Sequence, residues 1–113
     1  MSQQTTIGRT QSASWDDYLR EALSDPEEAR LYVEVAIEEF EQDGDMRFFL
    51  RALRQVVDAQ GGMSKLARET GLNRSNLYKA LSEDGAPRLD TIARILRGLG
   101  FRLAVVPLGE KKK

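Results

Sequence analysis

The tightest constraint on this chain lies in residues 63–82, where Ala67, Gly71 and Leu77 fall at spacings of four and six. Two short helices crossing at a sharp angle need a small residue where they approach and a glycine in the turn. They also need an apolar side chain that locks the second helix onto the first. Leu66, Leu72 and Leu81 complete a buried seam around these three. Gly71 is expected to take a positive φ, which a β-branched residue would resist. Ser64 is placed to cap a helix over residues 65–70, and Asn73 one over residues 74–82. The spacing predicts a helix-turn-helix.

Around it the apolar residues repeat at helical intervals. Ser14 can cap a helix over residues 15–23, with Trp15, Tyr18, Leu19 and Leu23 as its apolar side. Asp25 followed by Pro26, Glu27 and Glu28 reads as a helix start, and Gly44 as its stop. Between them Ala29, Tyr32, Val33, Ala36, Ile37 and Phe40 share one face, with Glu34, Glu38, Glu39 and Glu41 on the other or its edges. Asp45 can cap the next helix, whose stripe of Met46, Phe49, Leu50, Leu53, Val56 and Val57 is widened by Phe48 and Ala52 and predicts burial on more than one side. That helix should end at Gly61 and Gly62. Leu89, Ile92, Ala93, Ile95, Leu96 and Leu99 mark a last helix, closed by Gly98 and Gly100.

After Gly100 the period switches from 3.6 to 2, which predicts one β-strand over residues 101–107. The expected organisation is an all-α fold. A polar, disordered leader over residues 1–14 precedes a single helical domain over residues 15–107, and a basic tail follows over residues 108–113. The longest apolar stretches fall far short of the ~20 residues needed to span a bilayer, and the first residues lack the apolar core of a secretory signal. A cytoplasmic location is expected.

The chain has no Cys and no His. Disulfides, thiolate and imidazole metal ligands, nucleophilic Cys and His-based proton transfer are therefore unavailable. The carboxylates around Glu38 to Asp45 do not have the ligand alternation of a calcium loop, and no glycine-rich phosphate cradle accompanies them. No enzymatic activity, cofactor or metal is expected.

Net charge is −1, but its distribution is uneven: residues 1–62 hold 6 basic and 13 acidic side chains, residues 63–113 hold 11 basic and 5 acidic. Within the basic half, residues 73–82 carry no acid. Arg reads guanine bidentately, Asn reads adenine, and Ser, Tyr and Lys reach base edges or phosphates. The candidate DNA-binding residues are accordingly Asn73, Arg74, Ser75, Asn76, Tyr78 and Lys79 on the second helix. Ser64 and Lys65, at the start of the first, suit a phosphate, as does Arg88 just before the last helix.

The stretch MSKLARETGLNRSNLYKALS, followed by GAPRLDTIARILRGLGFRLAVVP, resembles the addiction-module antidote proteins, antitoxins with a helix-turn-helix like that of phage and lambda repressors. The similarity covers roughly residues 15–107 and is most specific in LYKALS, the P-R-x-D-T element and G-L-G-F-R-L. The resemblance implies a partner toxin, small and basic, similar to the RelE/HigB-type mRNA-cleaving ribonucleases. It further implies that the antitoxin neutralises this toxin by direct binding, represses the shared operon, and is homodimeric.

A physical argument also favours a homodimer. A lone apolar strand leaves amides and carbonyls unpaired along both edges, so Phe101, Arg102, Leu103, Ala104, Val105 and Val106 are expected to pair with their copy across a two-fold axis. The expected function is that of an antitoxin and autorepressor of a type II toxin-antitoxin module. Its acidic N-terminal helices, over residues 15–42, would meet a basic toxin through apolar anchors such as Trp15 or Tyr18, and its basic half would meet double-stranded operator DNA. The alternative is a prophage-like transcriptional regulator with no toxin partner.

Overall fold

A computed structural model describes residues 11–110, with side chains from residue 15 to residue 109. Six α-helices occupy this span: α1 (Gln11–Leu23), α2 (Pro26–Asp43), α3 (Met46–Ala59), α4 (Gly62–Thr70), α5 (Arg74–Ala80) and α6 (Leu89–Gly98). A 3-10 turn follows at Leu108–Glu110. The described residues form no β-strand, so the architecture is all-helical, and no helix among them is long and apolar enough to cross a membrane.

The helix boundaries follow from local chemistry. Asp25 is extended and its carboxylate accepts the Glu27 N–H at 3.0 Å, with Pro26 fixing the first helical φ. Gly44 ends α2 at φ 73°, donating its N–H to the Phe40 carbonyl at 2.7 Å. Asp45 then starts α3 by accepting the Arg47 N–H at 3.0 Å. The first helix departs from expectation. It begins at Gln11, so Ser14 lies inside α1 instead of capping it; residues 1–10 of the expected leader lie outside the described residues.

Packing is organised around α3. Helices α1 and α2 pack on it and on each other, α4 packs on it further along the chain, and α5 and α6 pack on α4. Leu50, Leu53, Val56 and Val57 of α3, Leu77 of α5 and Ile95 of α6 are essentially sealed from solvent, each removal from water stabilising the fold by about 1.5–3 kcal/mol. All the buried apolar side chains, from Leu23 of α1 to Leu96 of α6, join one cluster. Side-chain hydrogen bonds tie the helix ends together: Gln60 donates to the Leu23 carbonyl at 2.7 Å, and Arg94 of α6 donates to the Thr70 carbonyl at 2.8 Å, closing α1 and α4 respectively. Tyr32 donates its hydroxyl to the Gln55 side-chain oxygen at 2.6 Å, and partial burial pushes its pKa up.

Several expectations are corrected. Ser64 does not cap the fourth helix, which starts at Gly62 with Gly61 at φ 119° as its cap. Leu89 is 69 % exposed because it opens α6 a turn before the first buried residue, Ile92. Phe48 is 38 % exposed, on the flank beside the faces of α3 that its neighbours cover. Gly98 is the last residue of α6, with Leu99 as its cap, and its missing side chain also serves a close approach. A Cβ there would lie 2.8 Å from the terminal methyls of Leu66 and Thr70. The segment expected as a strand, residues 101–107, carries no regular structure. Only its first residue, Phe101, packs on the core, with its N–H donated to the Leu96 carbonyl at 2.8 Å.

Two outcomes follow from this geometry. A Cβ on Gly85 would sit 2.5 Å from the Ala80 carbonyl oxygen and 2.6 Å from that of Lys79, and backbone cannot yield as a side chain can. Gly85→Ala should therefore cost about 1–3 kcal/mol, read as a lower urea midpoint at unchanged slope. The Asp45 carboxyl, held by the Arg47 guanidinium and backbone N–H, has its pKa lowered from 3.8 to about 2. Its stabilising effect is thus full above pH 3.8 and lost as pH falls through about 2. Thermal melts of wild type and Asp45→Asn should converge across that window.

Candidate nucleic-acid interface

The connection between α4 and α5 is built from three residues with separate tasks. Gly71 adopts φ 75° and donates its N–H to the Ala67 carbonyl at 2.8 Å, ending α4 in the left-handed region that a side chain would strain. The Thr70 hydroxyl accepts the Leu72 N–H at 3.1 Å, which steers the chain out of the helix. Asn73 is extended, and its side-chain oxygen accepts the N–H groups of Ser75 at 2.8 Å and Asn76 at 3.3 Å. Leu77 and Leu81, almost fully buried, hold α5 against the core. Because its single buried face is so narrow, α5 turns its remaining side chains to solvent.

All nine side chains singled out from the sequence are exposed: Ser64, Lys65, Asn73, Arg74, Ser75, Asn76, Tyr78, Lys79 and Arg88. Asn73, Arg74, Ser75, Tyr78 and Lys79 line one open concavity on α5. Asn76, Lys79 and Arg88 line a second groove, between α5 and the loop that leads to α6, so Lys79 belongs to both. Ser64 and Lys65 line neither; they sit in the first turn of α4. That helix has no side-chain cap, and the first amides of an uncapped helix lack partners inside it.

Charge pairing separates the cations. Arg74, Lys79 and Lys65 have no ion pair among the described residues. Arg88 differs: its Nε lies 3.2 Å from an Asp90 carboxylate oxygen, and this hydrogen bond holds the Asp90 carboxyl below its usual range. Asn73 also has a structural duty, since its oxygen is committed to the helix cap and only its amide N–H groups remain for another partner.

Sequence reasoning missed one residue here. Arg54 of α3 places its guanidinium 4.9 Å from the centre of the Tyr78 ring, and Arg74 lies 5.9 Å from the same ring. In the sequence Arg54 is a polar position within an apolar stripe, and only the tertiary fold brings it beside Tyr78 of α5. No group of acidic residues among those described could hold a metal ion.

On the opposite half of the fold, Trp15 and Tyr18 of α1 are 58 % and 63 % exposed, with ring centroids 5.6 Å apart. Leu31 and Val35 on α2 are also open to solvent, at 45 % and 51 %. Acids surround them in the sequence, and Arg30 pairs with two of these, Glu27 at 2.6 Å and Glu34 at 3.0 Å. The Glu27 carboxyl is held below its ordinary value by that contact.

A protein of Haemophilus influenzae, described as uncharacterized, is 34 % identical over 85 residues, a span covering 75 % of this chain and 82 % of that protein. No solved structure matches. A family model described as a probable addiction module antidote protein matches residues 17–107, from early in α1 through the extended segment after α6. The chain belongs to the addiction module antidote family.

Proposed function

We propose that this protein is the antitoxin of a type II toxin-antitoxin module, neutralising a small basic RelE/HigB-type toxin by direct binding and repressing its own operon. The observation that carries the DNA half is α5 itself: an acid-free helix with one buried residue, Leu77, and Arg74, Ser75, Asn76, Tyr78 and Lys79 turned outward. In this reading α4 and α5 act as a helix-turn-helix. The N-terminus of α5 enters the major groove, Arg74, Ser75 and Asn76 meet base edges, and Lys65 meets a phosphate. Membership of the antidote family supports the toxin half.

The exposed tail supports a two-fold dimer. Beyond Phe101 the apolar side chains lose contact with their own core: Leu103 is 41 % exposed, Val106 61 % and Val105 99 %. Pairing residues 101–106 with their copy would cover these side chains and satisfy the backbone. The same symmetry presents two α5 helices to a palindromic site, with half-sites about one helical turn apart.

The toxin contact lies, in this reading, on α1 and α2. Because Leu23, Ala29, Val33 and Ala36 belong to the common core, these helices are not a detachable arm, and removing residues 15–42 would strip α3. Surface substitutions test the contact instead. Charge complementarity speeds encounter while aromatic anchors supply affinity. Trp15→Ala with Tyr18→Ala should therefore abolish rescue from the adjacent gene's product in co-expression, with the melting temperature unchanged. Full rescue by the folded double variant would refute the assignment, and a neighbour that is not toxic would favour a regulator without a toxin.

The DNA half is tested by gel shift on the region upstream of the gene. Arg74→Ala should cost about 1–3 kcal/mol and relax discrimination at one base position. Lys65→Ala should weaken all sequences alike and make the salt dependence shallower. Unaltered binding in both would show that another face meets the duplex.

A further inference from the structure

We propose that Arg54, on α3 and outside the two-helix unit, is a phosphate-contacting residue of the duplex interface, its guanidinium presented by the Tyr78 ring. This rests on the DNA-binding reading above and extends it to a third helix. The case begins with the three arginines of α3. Arg47 holds Asp45 at 2.8 Å and Arg51 holds Glu83 at 3.1 Å, each within hydrogen-bond distance. Arg54 faces Asp58 at 3.6 Å, too long for a hydrogen bond, and its Nε is buried with no hydrogen-bond partner.

The arginine beside α5 is therefore the one on α3 without a hydrogen-bonded carboxylate among the described residues. It is also the most buried of the three, with its guanidinium over Tyr78 and its side chain 38 % exposed, against 65 % for Arg47 and 53 % for Arg51. An aromatic face orients a guanidinium, and with Nε sealed it is the terminal Nη groups of Arg54 that are left to reach a phosphate. Arg74 approaches the same ring, so two positive charges lie within about a Debye length of each other. Asp58 offers a carboxylate to Arg54 at 3.6 Å but no carboxylate pairs with Arg74, and a backbone phosphate is the anion a duplex would bring to both.

The test is fluorescence anisotropy of the full-length protein on a labelled duplex carrying the region upstream of its gene, and on a scrambled duplex, across a salt series. Arg54→Met keeps an aliphatic stem over the ring and removes the charge. It should reduce the slope of log affinity against log salt by about 0.9 and weaken binding about fivefold on both duplexes. Arg54→Lys should recover most of the slope. Asp58→Asn, at a half-exposed position, removes the competing carboxylate and should tighten binding about twofold. A folded Arg54→Met with an unchanged slope overturns the proposal. If that variant fails to fold, unchanged or weaker binding by Asp58→Asn overturns it. Wild-type protein that binds neither duplex overturns the DNA reading and this proposal together, whereas wild-type binding with an unaltered Arg54→Met slope overturns this proposal alone.

Discussion

Burial of α3 on more than one side is the constraint from which the rest of the structure follows. A helix with a single apolar stripe can satisfy itself against one neighbour; Phe49, Leu50, Ala52, Leu53, Val56 and Val57 are all buried, and together they need several. Helices α1 and α2 cover one part of this surface and α4 another, and α5 and α6 reach the core through α4. The N-terminal and C-terminal halves are consequently two sides of one object, joined through side chains that neither could leave exposed.

That shared core lets a chain of nearly zero net charge present two opposite fields. The acids of α1 and α2 and the cations of α4 to α6 are held apart by the apolar cluster, so they do not collapse onto each other. Exceptions to the separation are local and structural. Arg30 neutralises acids on its own helix, Arg47 completes the cap of α3, and Arg51 ties α3 to the loop after α5. An acidic surface with exposed aromatic rings and a basic surface with unpaired cations are suited to different partners.

At the basic surface, turn chemistry and burial act in sequence. Gly71 stops α4, Asn73 starts α5, and Leu77 with Leu81 pins the second helix so that its polar residues have nowhere to point but outward. Each step is short-range, which is why α5 needs only seven residues to be well placed. Neighbouring elements then alter what those residues can offer. Asn73 is occupied as a cap and Arg88 by Asp90, while Tyr78 is flanked by two arginines from different helices.

Local chemistry was legible in the amino-acid sequence. The caps at Asp25, Asp45 and Asn73, the stops at Gly44 and Gly71, the helical stripes and the outward residues of α5 depend on near neighbours, and periodicity reports them directly. The start of α1, the exposure of Leu89 and Phe48 and the packing role of Gly98 were not legible, because each depends on which distant surface arrives at that position. The segment after Phe101 is the clearest case: its alternation predicts a strand, yet a strand exists only where a second edge is supplied, and the described residues contain none. What the sequence determined alone was the set of helices and their faces, fixed by backbone propensity and burial. Tertiary structure alone decided that Arg54 meets Tyr78 and that acidic and basic halves share one core, because both require long-range contacts that no local pattern encodes.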